Sequence, residues 1–436
     1  MSATETRATA FLRHWEEPAE TAAWLRDLRS RAVASVETHG FPTTKNEDWH
    51  FTSPAPITEA AFEPMRASTA ALSAADLAAA ALVPSEWATL VFVNGRHAPH
   101  LSHVQGLPDG VRVMSLASAW REEPTLVEQH LGRHARFDEQ ALAFTALNTA
   151  WMQDGAFVSV PANVTVVPTI HLLFVTDAQA AGGMAHPRNL LVVGTHGRAT
   201  VVEQYVTTGD ARYLTNSVTE AAVGDGATLT HYKLQREGRK AFHVGHIEAT
   251  LGRDAHYVSF AFSTGAALAR SNIYTALAGE GCGATLNGLY MLGGSQVSDH
   301  QTRIEHAQPN CYSREHYKGV LDDASHGVFN GKVYVHAIAQ KTDGKQTNNT
   351  LLLSPHARID TKPQLEIFAD DVKCTHGATV GQLDDRMAFY LKSRGIGAAA
   401  ARQLLTYAFA ADVLETIELE PLRVELERLA LERFVR

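Results

Sequence analysis

Residues 365–396 read LEIFADDVKCTHGATVGQLDDRMAFYLKSRGI, and within them Cys374 and His376 stand two positions apart, just after Asp370 and Asp371. The segment around them is strand-like, and strand side chains alternate between faces, so an i, i+2 pair points the same way. A thiol beside an imidazole can share a soft or borderline metal such as iron or zinc. Two donors do not close a site, because tetrahedral metals take four ligands. If the pair does chemistry, the other ligands come from elsewhere in the fold or from another chain. On its residues alone the pair also fits a small buried thiol beside a structural imidazole.

Other chemistry is missing from the chain. GVFNGKVYV (residues 327–335) has a superficial likeness to a phosphate-binding loop, but its glycines are too close and no Ser or Thr follows Lys332. No ATP site is therefore expected. There is no Gly-x-Ser-x-Gly elbow and no His-Glu-x-x-His helix. Glu248, Glu366, Asp370 and Asp371 are read as solvated edges and turns. Cys282 and Cys311 have no His or Cys within three residues. The 22 histidines are mostly scattered and expected on polar surface.

Elements must hold this pair in place, and composition bounds them. At 436 residues the chain has room for two or three domains. A net charge of −9, without a Lys/Arg block, argues against a nucleic-acid partner. The amino terminus lacks the apolar core of a signal peptide, and the longest strongly apolar run, residues 77–83, is too short to span a bilayer. Three widely spaced cysteines make a disulfide framework unlike this chain and fit a reducing cytosol, so a cytoplasmic location is expected.

Helical spacing runs through residues 21–40 and 70–82; residues 88–97 read as a strand entering an Asn-Gly turn, and FPTTKNEDWHFTSP as an ordered loop with Trp49 and Phe51 on one side. From about residue 165 short Val/Thr/Ile/Tyr runs alternate with glycine turns. Four look alike, GRATVVEQY, GATLTHYKL, DAHYVSFAF and GATLNGLYM, with Ala199, Ala227, Ala255 and Ala284 at spacings of 28, 28 and 29. Ala324, Ala357 and Ala378 continue the pattern less strictly. A turn plus a strand at a near-constant interval predicts a parallel β-helix rather than a sandwich. After Val380 helices return: MAFYLKSRG, then a stripe of Leu404, Leu405, Ala408, Phe409, Val413 and Ile417, then a third near residues 421–434. This hairpin is expected to cap the solenoid end, and its stripe suits docking of a partner.

These residues carry a family resemblance. LEIFADDVKCTHGATVG followed by YLKSRGI resembles the C-terminal signature of the SufB/SufD family of iron–sulfur cluster assembly proteins, and residues 327–357 its preceding block. Residues 144–164 resemble the entry to the β-helix, and PTTKNEDWHFT (residues 42–52) the N-terminal motif of the SufD branch. The compact length and the absence of cysteine from the first third also point to that branch. The resemblance implies a mainly β chain: a right-handed parallel β-helix core (165–380) flanked by an N-terminal helical, mixed domain (1–164) and a C-terminal helical domain (381–436). It implies a scaffold subunit, not an enzyme, that pairs with a SufB-like subunit through the β-helix and with a SufC-like ABC-type ATPase through Leu404, Leu405, Tyr407 and Phe409. His376 would then be an interface metal ligand for a transient iron–sulfur cluster and Cys374 a secondary one. A purely structural subunit is the rival reading, and a β-helix carbohydrate-active enzyme a more distant one. Cluster type, sulfur donor, reduced flavin in the complex and homodimers of the isolated chain are left open by the residues.

Overall fold

The computed structural model describes residues 7–18, 21–60, 62–68 and 72–433. Its centre is a parallel β-solenoid of about 8 turns built from two sheets. The front sheet runs Ala88–Val93, Ile170–Thr176, Arg198–Thr207, Thr228–Arg236, His256–Ser263, Gly283–Leu292, Tyr312–Leu321, Thr342–Leu352 and Val372–Gly381, each pairing parallel with the next. The back sheet runs Ala156–Val160, Arg188–Val193, Leu214–Val223, Phe242–Leu251, Leu268–Leu277, Val297–His306, His326–Val335 and Arg358–Ile367, likewise parallel. The expected Asn-Gly turn closes the first front strand: Asn94 (φ 51°) and Gly95 (φ 78°) both take the positive φ that a tight hairpin demands.

The solenoid is as expected, but the alanine repeat is not its register. Ala199 lies beside Leu229, then Tyr257, Ala284, Ser313, Gly344 and Cys374 follow in one stacked row. Ala227 and Ala255 instead occupy the corner just before their strands, and Ala324 and Ala357 the corners before back-sheet strands. Successive corners bond backbone to backbone through Ala227, Ala255 and Cys282, and all four of Ala227, Ala255, Cys282 and Cys311 are buried. A tight inward corner accepts only a small side chain, which accounts for both cysteines; the Cys282 thiol donates to the Gly279 carbonyl at 2.7 Å.

Both sheets are clothed outside. Helices Ala23–His39 and Ala143–Trp151 put Leu25, Leu28, Ala32, Val36 and Leu147 against Leu190, Val192 and Val244 of the back sheet. In the second stretch expected to be helical, Ala74–Ala80 forms a helix behind a Ser73/Asp76 capping box; Ala70 and Ala71 lie outside the described residues. The helices Ala398–Leu414 and Glu420–Glu432 do not cap the solenoid end. They lie along the front sheet, with Ala410, Val413, Leu414, Ile417, Leu422 and Leu426 packed on Tyr232, Leu234, Phe260, Phe262, Leu289 and Met291. Those outward apolar residues require cover, and a flat row of strands offers more area than a solenoid's tip. Phe434, at the expected end of the third helix, lies outside the described residues.

The histidines also depart from expectation. His171, His186, His231, His243, His246, His300, His306 and His326 are all buried, in the lumen or beneath the helices. Several lie against carboxylates, His231 with Glu203 at 3.1 Å and His246 with Glu248 at 3.0 Å. Glu248 is thus a buried partner and not a solvated edge.

One buried ion pair fastens the N-terminal region to the back sheet. Glu220 accepts from Arg188 Nη2 at 2.5 Å and from the backbone N–H groups of Gly132, His134 and Ala135 at 2.8, 2.9 and 3.1 Å. Arg188 in turn donates to Asn148 and Thr149 on the helix Ala143–Trp151. Burial pushes the Glu220 carboxyl up, but Arg188 and the three N–H groups outweigh it and hold it below the ordinary range. Glu220→Ala strands a buried guanidinium and three donors, and is expected to cost about 3–5 kcal/mol in urea unfolding. A loss below about 1 kcal/mol would show that water replaces the carboxylate there.

Candidate functional site

The solenoid ends open. Val372–Gly381 and Arg358–Ile367 each pair with a preceding strand on one side, so their outer edges carry unpaired backbone groups. Pro363 lies in the back edge strand, a position where a missing N–H is tolerated. Beside this rim Ile367, Phe368 and Val380 are exposed. Two adjacent ten-residue edges with apolar neighbours form a template for pairing with another chain.

Cys374 and His376 stand on the front edge strand, beside Gly344 and Gln346 of the penultimate one. A Cβ built on Gly344 would meet Cys374 Sγ at 3.4 Å, and Cys374 packs by Val333 and Val335, so its thiol faces the lumen. His376, two residues on, shares that face. The same strand order therefore brings both together at the mouth of the lumen, His376 exposed and Cys374 half-buried. Burial pushes the Cys374 thiol up, which favours its protonated form until a metal or cation approaches. Among the described residues no three His, Cys, Asp or Glu side chains are grouped to hold a metal ion. A metal at this pair would need donors from a second chain.

The neighbouring acids are dispersed. Asp371 pairs with Lys341, and Glu366 with Lys332 at 2.6 Å. Lys332 lies in the strand His326–Val335, whose backbone is bonded on both sides, so the glycine-flanked segment is no phosphate loop. The N-terminal motif reaches the same end: Glu47 accepts from Lys362 at 2.6 Å, and Arg270 stacks on buried Trp49 with its Cζ 3.8 Å from the ring centre. Phe51, expected beside Trp49, is only half-buried and packs edge-on against His50.

The helical stripe is divided by the fold. Val413 and Ile417 are buried on the front sheet, while Leu404 is 43% exposed. Leu405 is half-buried; Tyr407 and Phe409 are partly buried beside the same core, and Lys318 caps Phe409, its Nζ 4.4 Å from the ring centre. Outside the expected docking stripe, Met387, Phe389 and Tyr390 on the helix Asp385–Ser393 are exposed at 58%, 72% and 58%. The signal was present: three large apolar residues in four positions do not lie on one buried face of a helix.

Comparison with known proteins agrees with this architecture. Residues 13–172 match the SufBD protein N-terminal region, and residues 174–409 the SufBD core domain of the SUF system for FeS cluster assembly. The iron–sulfur cluster assembly protein SufD of Escherichia coli is 34% identical over 403 residues, 89% of this chain and 88% of that protein. A SufBD family protein of Synechocystis is 34% identical over 395 residues, covering 89% and 86%, and SufD of Bacillus subtilis 30% over 427 residues, covering 95% of each. With the solenoid, its open end and matches over nearly the whole length, the chain belongs to the SufBD family of iron–sulfur cluster assembly proteins.

Proposed function

We propose that this chain is a SufD-like, non-catalytic scaffold of a cytoplasmic assembly complex, pairing through its open rim with a SufB-like subunit. The observation that carries the reading is the convergence of two unpaired strand edges with Cys374 and His376 at one lumen mouth. A second solenoid docked there satisfies the edge N–H and C=O groups and buries the apolar rim. It also supplies thiolates beside His376, whose neutral imidazole is a competent iron ligand, so that iron and the nascent cluster are held as cargo between two chains. Cys374 serves as a secondary ligand. In isolation the same edges suit a second copy of this chain.

A SufC-like ATPase is assigned to the C-terminal helices, where Leu404, with Leu405, Tyr407 and Phe409 around it, adjoins a helix bearing exposed Met387, Phe389 and Tyr390. The test is co-expression with SufB-like and SufC-like chains under anaerobic conditions, followed by iron and sulfide assays of the purified complex. The Met387→Asp/Phe389→Asp chain is expected to lose the ATPase at least tenfold while retaining the SufB-like partner, because burying an unpaired charge costs several kcal/mol. Both positions are solvent-facing, so circular dichroism should be unchanged. ATPase retention by this folded variant would refute the assignment.

A further inference from the structure

Directly below His376 in the lumen row lies Gln346, and below that Glu315, each one rung of about 4.8 Å from the next. Glu315 is buried without a cation partner among the described residues; Gln346 Nε2 donates to its Oε2 and Thr302 stands beside it, while Gln346 Oε1 has no partner. The amide lies against Gly331 across the lumen, where a Cβ would come within 2.2 Å of Gln346 Nε2. The absent side chain at Gly331 is what leaves the amide its place, and its O and NH₂ ends are close enough in size to exchange there.

We propose that Glu315 is a positioning residue that sets, through the Gln346 amide, which hydrogen-bonding group is offered to His376; this rests on the ligand role given to His376 above. With Glu315 ionised, the carboxylate holds the amide N–H and leaves the carbonyl for the rim. That carbonyl, unpartnered in the structure, is free to accept the N–H of an imidazole turned toward the lumen, which keeps the other ring nitrogen free for metal. With Glu315 protonated, its O–H donates to the amide carbonyl and the amide N–H₂ turns to the rim, where it competes for the imidazole lone pair.

The groups facing Glu315 leave it the one that titrates near neutrality. Tyr317 lies two residues on along its own strand with His300 against its ring, Tyr257 and Tyr290 line the same lumen on the rungs below, and His306 bonds Ser313, two residues before Glu315. Burial pushes all three tyrosines up, Tyr290 to about 12, and lowers His300 to about 3 and His306 to about 4. The inward residues of the facing back-sheet strands are Thr302, Gly331 and Pro363, and on the strand below, Leu286. Burial likewise pushes Glu315 up to about 7, against weaker opposition from Gln346 and Thr302.

The experiment follows the ring-nitrogen shifts of His376 in the deuterated, ¹⁵N-histidine-labelled chain from pH 5.5 to 8.5. Wild type is expected to show a tautomer change near pH 7, and both Glu315→Gln and Gln346→Met to remove it. A His376 profile identical in wild type and a folded Glu315→Gln chain overturns the proposal. In the reconstituted complex, iron uptake by wild type should fall about tenfold from pH 8 to pH 6, following the ionised fraction of Glu315, and Glu315→Gln should flatten that profile. An equally steep profile in Glu315→Gln also counts against it. If the NMR coupling is present but His376→Ala complexes assemble clusters normally, the ligand reading fails while the positioning by Glu315 stands.

Discussion

Acidification from pH 7 to pH 5 is expected to remove most of the stability of this fold, because four histidines are buried as neutral bases. Burial lowers His171 to about 4, His186 to about 3, His300 to about 3 and His306 to about 4. The sign follows from proton binding. Below pH 6.5 the unfolded chain protonates these imidazoles and the folded chain does not, so stability falls as pH falls. At pH 5 each contributes about 2 kcal/mol of loss, and the four together roughly 8 kcal/mol, comparable with the whole stability of many domains. Carboxylates such as Glu220, held below their ordinary range, lose their contribution only below about pH 4.5, whereas Glu315, raised to about 7, takes up its proton in the folded chain and offsets roughly 2 kcal/mol, leaving a net loss of roughly 6 kcal/mol between pH 7 and pH 5. Urea unfolding at half-unit pH steps measures the slope. Replacing His300 by Gln should reduce it by about one proton, and a flat slope in wild type would show that these rings are protonated in the folded state.

Replacing His376 by Ala should leave the fold and the assembled complex intact while cluster formation falls at least roughly tenfold, the lower bound for losing even an outer partner of a metal ligand. The side chain is exposed on an edge strand, so its removal creates no cavity. Methyl offers no lone pair, whereas imidazole does. Cys374→Ala should do less: its half-buried thiol is held protonated, and thiolates from a partner can still hold iron. The measurement is the rate of cluster appearance, by absorbance and acid-labile sulfide, in anaerobic complexes containing each variant at matched subunit ratios. A His376→Ala complex that builds clusters at the wild-type rate would leave this chain as a structural subunit alone.

Periodicity was the part of the fold written in local sequence. Alternating strands and small residues at corners specify a coil of two strands and two turns, because a β-branched run can bury one face only when another coil stacks on it. The spacing of Cys374 and His376 likewise determined that they share a face. Register was not local. Ala199 aligns with Leu229 and not Ala227, since the stacking of whole rungs, not the likeness of single alanines, sets which residues meet. Nor could the chain's order say that the C-terminal helices lie along the front sheet; that depended on the outward row Tyr232, Leu234, Phe260 and Phe262, assembled from separate strands. The histidines looked like surface because burial is a property of the closed lumen and of helices laid over it. The stack of Glu315, Gln346 and His376 spans 61 positions of sequence yet three adjacent rungs, so only the wound coil brings an acid, an amide and an imidazole into one line at the open end.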